Sequence, residues 1–185
     1  MALTPSSMLA LGTKAANFEI PDVISGDNVS LQNIKGDKGT VVMFICNHCP
    51  FVVHILSGLV SLGADYSSSK INIVAISSND VNTHPADSPE KMKTLAAEHD
   101  FAFPYLYDED QSVAKAYSAE CTPDFFLFDS EDKLVYRGQF DDARPGSDTP
   151  VTGADLRSAI DCLLEGAPVA QEQKASMGCN IKWKS

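Results

Sequence analysis

No stretch of this chain comes near the ~20 consecutive apolar residues that a membrane-spanning helix needs, and no run of lysine or arginine interrupts its acidic background. With 14 basic against 25 acidic side chains, the net charge of −11 works against binding nucleic acid or an anionic membrane. The opening "MALTPSSMLALGTKAANF" has neither a basic segment nor a long apolar one behind it, so a cytoplasmic location is expected. Cysteine is sparse and odd in number, five in 185 residues. Such a set does not read as a structural disulfide framework. In a reducing compartment it reads as catalytic, metal-binding or inert. Internal repeats and low-complexity linkers are absent as well, and the length suits one domain, 1–185, with a full core.

What is present is an alternation of short extended and helical segments. "NFEI" and "VSL" flank Ser25-Gly26-Asp27-Asn28 and predict a small hairpin. "TVVMFI", Thr40 to Ile45, is apolar throughout, as a buried strand requires. Pro50 suits a first helical position, and Val52, Ile55, Leu56, Leu59 and Leu62 follow at helical spacing. "INIVAIS" predicts a second buried strand, and Ser88-Pro89 a helix with Met92, Leu95 and Ala96 inward. "FPYLYD" is a brief apolar piece, and Asp110 is placed to cap a short helix carrying Val113, Ala114 and Tyr117. "DFFLFD" and "KLVYRGQF" predict a second hairpin. Thr152-x-x-Asp155 resembles a capping box ahead of a helix with Leu156, Ile160 and Leu163 on one face. Strand–helix–strand implies a parallel pair and the later hairpin adds antiparallel strands. The expectation is an α/β fold with a central mixed sheet and helices on both faces. Residues 165–185, weakly periodic, are expected to lie as a tail over the domain.

"FICNHCPFVV" holds Cys46 and Cys49 at the spacing C-x-x-C, at the junction between a strand and a helix. Free N–H groups and the macrodipole at a helix start favour a thiolate. With Pro50 opening the helix, Cys49 is the N-cap residue and the activated nucleophile, and Cys46 a neighbour at the strand's end. The plainer reading makes both of them small buried fillers. Two cysteines flanking such a junction, with proline next, argue against it.

These stretches, with "ANFEIPDVISGDNVSLQNIKGDKGTVVMF" before them and "CTPDFFLFD" and "KLVYRGQFDDARPG" after, resemble thioredoxin-fold proteins of the peroxiredoxin-like (alkyl hydroperoxide reductase/thiol-specific antioxidant) group over roughly residues 12 to 165. The ending "SMGCNIKWK" is similar to a bacterial thioredoxin-family subgroup of undefined substrate. The resemblance implies a thioredoxin-like fold with an N-terminal hairpin extension. It implies thiol–disulfide oxidoreductase activity with Cys49 as nucleophile, and a loop through Thr122 and a cis Pro123 packed beside it. Phe44 precedes Cys49 by five positions, as a strand phenylalanine does in thioredoxin-like chains, and this leaves Val52 at the usual second cysteine. Where peroxiredoxins keep a hydroxyl three residues before their cysteine, this chain has Cys46, and Val42 replaces a proline. That departure counts against efficient peroxidase activity, which stands as the alternative.

A second cysteine has to resolve the mixed disulfide or sulfenic acid formed on Cys49. Cys46, near in sequence, ranks first; Cys121, which the resemblance places near the site, second; and Cys179, in a tail that could fold back over it, third, while alternation along an extended loop turns Cys121 away from Cys49 and Thr122 toward it. Cys162 reads as structural. His48, between the two cysteines, could hold or move a proton, or face solvent. His54 is expected half-buried, His99 packed on its helix and His84 in an exposed loop. Arg137 and Arg144 could place a cation near the thiolate, though a surface salt bridge with Asp141 or Asp142 is favoured. Trp183 is expected to anchor the tail. The rival from another class is a metal-binding or redox-sensing module built on Cys46, His48 and Cys49, with Cys121 near. A second C-x-x-C or a histidine pair is missing, so no metal and no cofactor is expected. The partners implied are a disulfide or peroxide substrate, protein or small molecule, and an electron donor such as a thioredoxin or glutathione system. The chain itself is expected to be a monomer or homodimer.

Overall fold

The computed structural model describes residues 3–185. From the N-terminus run β1 (Leu3–Pro5), β2 (Glu19–Pro21), β3 (Asn28–Ser30), α1 (Leu31–Ile34), β4 (Gly39–Phe44), α2 (Pro50–Tyr66) and β5 (Ile71–Ser77). After a single 3₁₀ turn, Pro85–Asp87, come α3 (Pro89–Glu98), β6 (Tyr105–Tyr107), α4 (Ser112–Ala116), β7 (Cys121–Thr122) and β8 (Asp124–Asp129). β9 (Leu134–Gly138), α5 (Ala154–Glu165) and β10 (Met177–Asn180) close the chain.

β4 is buried along its whole length, which is why it reads as an unbroken apolar run. It sits at the middle of a five-stranded sheet of order β6-β5-β4-β8-β9. It pairs parallel with β5 and antiparallel with β8, so the sheet is mixed. Side chains of β4 alternate between two cores. Val41 and Met43 meet α2, α3 and α5 through residues such as Leu59, Met92 and Ile160. Val42 and Phe44 face the other side, where Leu31 of α1 and Val113 and Ala114 of α4 cover them. Helices therefore flank both faces, in a thioredoxin-like arrangement. β2 and β3 form the expected hairpin ahead of it. In α2 the predicted stripe, Val52, Ile55, Leu56, Leu59 and Leu62, is buried. Ser88 caps α3, its Oγ accepting from Lys91 N.

Two helix starts differ from their sequence signals. At α4 the N-cap is Gln111, in the left-handed region at φ +63°. That turn brings Asp108 under the first residues of the helix, where its carboxylate accepts from Val113 N at 3.2 Å and Ala114 N at 2.9 Å. Asp110, expected to cap, accepts from Ser112 N instead, at 2.9 Å. At α5 the capping box from Thr152 to Asp155 does not form, because the N-cap is Gly153 at φ +68°. A Cβ there would lie 2.5 Å from the Phe140 ring, so the close approach requires glycine. The N–H groups of Thr152 and Gly153 go instead to Asp141 Oδ2, at 2.7 and 2.6 Å. His54 is half-buried, but His99 is exposed just beyond α3 rather than packed.

The tail is more than a cover. β10 is the middle strand of a three-stranded sheet, β1-β10-β7, antiparallel to both neighbours. Gly178 fits only because it has no side chain: a Cβ would come within 1.9 Å of the Thr122 carbonyl oxygen.

Candidate active site

The turn from Cys46 to Cys49 leaves the end of β4 and enters α2, with Cys49 as N-cap and Pro50 as first helical residue. From this position the Cys49 sulfur faces β7 and β10. It lies 2.9 Å from Cys179 Sγ and 3.1 Å from the Thr122 carbonyl oxygen. Cys179 reaches it because β10 pairs with β7 in the register that sets Cys179 opposite Thr122. The Thr122–Pro123 peptide is cis. Thr122 does face the junction, its Oγ1 3.4 Å from Cys46 Sγ. Cys121 turns away, with its sulfur 3.7 Å from the Pro123 carbonyl oxygen.

A residue with no sequence signal holds this turn. Asp87, at the end of the 3₁₀ turn, is completely buried. Its Oδ1 accepts from Asn47 N at 2.8 Å and His48 N at 3.3 Å. Its Oδ2 meets His48 Nδ1 at 2.6 Å and accepts from Asn79 Nδ2 at 2.8 Å. Asn47 is fixed further by Tyr105, whose hydroxyl donates to Asn47 Oδ1 at 3.1 Å. His84, which the sequence places in an exposed loop, is half-buried and stacks on His48 with ring centroids 5.0 Å apart.

The sulfurs differ in acidity. A hydrogen bond from Cys46 holds the Cys49 thiol well below its ordinary range, against the opposing effect of burial. Further hydrogen bonds from Cys179 and from the backbone N–H of Val52, in the first turn of α2, act in the same direction. The Thr122 carbonyl opposes the thiolate at close range, so several donors work against one acceptor. Cys46 moves the opposite way, because its proton is engaged by Cys49, because it is buried and because Asp87 is negative. Burial and the bond to Cys49 push Cys179 up to about 12. Burial, with the Asp124 charge behind it, lifts Cys121 far above the thiol range.

Cys46 Sγ, His48 Nδ1 and an Asp87 oxygen lie within 4.8 Å of one another, the one such three-ligand grouping among the described residues. Asp87 replaces Cys49 in the set expected from sequence. Its oxygens already receive four donors, and His48 Nδ1 is one of them. A cation would have to break bonds that define the turn, so the donor set fits a hydrogen-bonded cluster better than a metal centre.

The arginines are engaged away from the sulfurs. Arg144 Nη1 donates to the carbonyls of Asp141 and Ala143, at 2.7 Å each, and its Nη2 to Gln139 Oε1. The expected carboxylate pairing is not made: Asp142 pairs with Lys174 at 2.8 Å, and Asp141 is occupied by backbone N–H groups. Arg137 Nη1 donates to Gln173 Oε1 at 2.7 Å. Cys162 sits half-buried on α5, and Trp183 is partly exposed with Lys115 Nζ 5.8 Å from its ring centroid.

The sequence model of the AhpC/TSA family matches residues 11–137, from ahead of the N-terminal hairpin to β9. The chain belongs to that family. Among curated proteins it is similar to the thiol-disulfide oxidoreductase YkuV of Bacillus subtilis (strain 168), 26% identical over 110 residues, covering 57% of this chain and 70% of that protein. Among solved structures, an uncharacterized conserved protein from Geobacillus kaustophilus is 54% identical with a TM-score of 0.98, covering 100% of this chain and 97% of its own. A putative thioredoxin from Neisseria meningitidis shares the fold at 21% identity and a TM-score of 0.63, covering 83% of this chain and 91% of its own. No helix among the described residues is long and apolar enough to cross a membrane.

Proposed function

We propose that this chain is a thiol–disulfide oxidoreductase in which Cys49 is the nucleophile and Cys179 its resolving partner. The observation that carries the reading is the 2.9 Å approach of Cys179 Sγ to Cys49 Sγ. The Cys49 thiolate attacks one sulfur of a substrate disulfide. A mixed disulfide forms, and the other substrate sulfur leaves as a thiolate, which takes up a proton. Cys179 then gives up its proton and attacks Cys49 Sγ. The remaining substrate sulfur is released, and a Cys49–Cys179 disulfide is left. The substrate gains two electrons and the cysteine pair loses them. A dithiol donor, of the thioredoxin or glutathione class, returns them in the next half-cycle.

Cys49 is wholly buried and Cys179 nearly so. Substrate therefore meets Cys49 only when β10 parts from β7. The similarity to the thiol-disulfide oxidoreductase YkuV supports disulfide exchange. Peroxide reduction is the competing reading. Position 46 carries a thiol in place of a hydroxyl, and the Thr122 hydroxyl is engaged with Cys46. Incubation of the Cys179→Ser variant with a small aromatic disulfide tests the scheme. The variant is expected to stop as a stable mixed disulfide on Cys49, seen as a fixed mass increase. A Cys179→Ser protein that turns over like wild type would remove Cys179 from the mechanism. Stopped-flow mixing with hydrogen peroxide separates the rival: a rate no better than that of a free thiol is expected.

A further inference from the structure

We infer that Asp87 is a positioning residue for this thiol exchange: its buried carboxylate, acting through the 46–48 turn and His48, assigns the proton to Cys46 and leaves the negative charge to Cys49. The inference rests on the proposed role of Cys49 and concerns what selects it over its neighbour.

Two cysteines three residues apart at one strand-to-helix junction compete for the same role. Both are buried, both touch Thr122, and each is hydrogen-bonded to the other. What differs is the neighbourhood of Cys46. Asp87 receives four donors on its two oxygens, and its carboxylate disfavours a negative charge on Cys46. One of its oxygens lies within 4.8 Å of Cys46 Sγ. A second anion at that range inside the protein is strongly opposed, so Cys46 keeps its proton and donates it toward Cys49. Cys49 is further along the turn, where α2 offers the Val52 N–H and β10 offers Cys179. The two N–H groups that Asp87 binds, those of Asn47 and His48, also fix the turn so that Cys46 faces Cys49.

His48 moderates the effect. Its Nδ1 lies 2.6 Å from Asp87 and 3.9 Å from Cys46 Sγ. As a neutral ring donating to Asp87 it leaves the carboxylate's charge in place, and as a cation it cancels it. Other groups face the cluster from each packed element. His84 from the loop after β5 stacks on His48, and burial and the charges of His48 and Lys182 favour its neutral form. Tyr105 from β6 donates to Asn47 and stays protonated in its buried position. Thr122 from β7 contacts Cys46. None of these supplies the negative charge that Asp87 does.

The test is alkylation of the reduced, full-length protein with iodoacetamide across a pH series, with the label placed on Cys46 or Cys49 by tandem mass spectrometry. In wild type, Cys49 is expected to be labelled first from acid to neutral pH, and Cys46 only in the alkaline range. Asp87→Asn keeps acceptor geometry for the backbone and removes the charge. It is expected to lower the Cys49-to-Cys46 labelling ratio by about tenfold near neutral pH, as a one-unit change in relative acidity would. His48→Asn keeps a donor group at this position and leaves the Asp87 carboxylate in place, so Cys46 labelling in the alkaline range is expected to stay at its wild-type pH. A purely structural role for Asp87 predicts that both variants loosen the turn and change the ratio in the same direction. If Asp87→Asn folds and its ratio equals that of wild type, the inference is overturned. Should that variant not fold, Cys46 labelling that moves to lower pH in His48→Asn, with the Asp87 carboxylate still in place, overturns it as well. Wild-type protein labelled on Cys46 ahead of Cys49 would contradict the nucleophile assignment itself, a separate failure.

Discussion

At the scale of single residues, the chemistry depends on which atoms surround each sulfur. Cys49 is lowered chiefly by its hydrogen bond from Cys46. Cys46→Ala removes that donor, so the Cys49 pKa rises and the thiolate fraction falls wherever pH lies below the new value. At about pH 6 the alkylation rate of Cys49 is expected to drop by about tenfold or more, with the difference closing in alkali. Asp124, fully buried at the start of β8, gives a second titration. Burial lifts its carboxyl to about 8, against roughly 3.9 in an unfolded chain. Between those values the folded protein holds a proton that the unfolded chain has lost. Stability from this group is therefore full below about pH 4 and falls as pH rises toward 8. Asp124→Asn is expected to flatten that decline and to raise stability near pH 8 by on the order of 3 kcal/mol, measured by urea unfolding at several pH values. The N-cap position of Cys49 was legible in sequence, because Pro50 fixes the helix start and the helix start fixes the N-cap. Asp87 was not. It sits in "NTHPADSP", a stretch whose composition says exposed loop, and its burial comes from the packing of that loop against the 46–48 turn some 40 residues away.

At the scale of elements, β10 completes the site, and no local pattern announces it. A four-residue strand paired with strands of three and two residues has too little alternation to stand out. Its position comes from contacts along the tail. Ser176 Oγ donates to the Pro123 carbonyl at 2.6 Å, Lys182 N to Asn79 Oδ1 at 2.8 Å, and Lys184 N to Gln111 Oε1 at 2.8 Å. This is why Cys179, ranked last of the three partners from sequence, has its sulfur 2.9 Å from that of Cys49. Gly178→Val tests the element. Its side chain cannot fit against Thr122, so β10 is expected to shift off β7, at a cost of about 2 kcal/mol. Cys49 then becomes accessible, and its alkylation at neutral pH is expected to rise by about tenfold while intramolecular disulfide formation slows. Equal alkylation rates in the variant and wild type would mean that β10 does not govern access. The strand–helix–strand core, in contrast, was legible because β4 and β5 are continuous apolar runs and α2 carries a full apolar stripe.

At the scale of the whole molecule, the family match ends at residue 137, before α5 and β10. The Geobacillus structure covers the entire chain, tail included. The matched part supplies the Cys46–Cys49 junction and the cis-proline loop. The part beyond it supplies Cys179, whose sulfur faces that of Cys49. A bond between Cys49 and Cys179 would close a loop of 130 residues, and cross-links of that span stabilise a fold by roughly 2–5 kcal/mol. The oxidised protein is accordingly expected to unfold at higher urea concentration than the reduced one, with the difference abolished in Cys179→Ser. Disulfide mapping of the oxidised wild-type protein, digested at acid pH to prevent exchange, tests the central claim most directly. The account predicts a Cys49–Cys179 linkage with Cys46 and Cys121 as thiols; a Cys46–Cys49 linkage would contradict it.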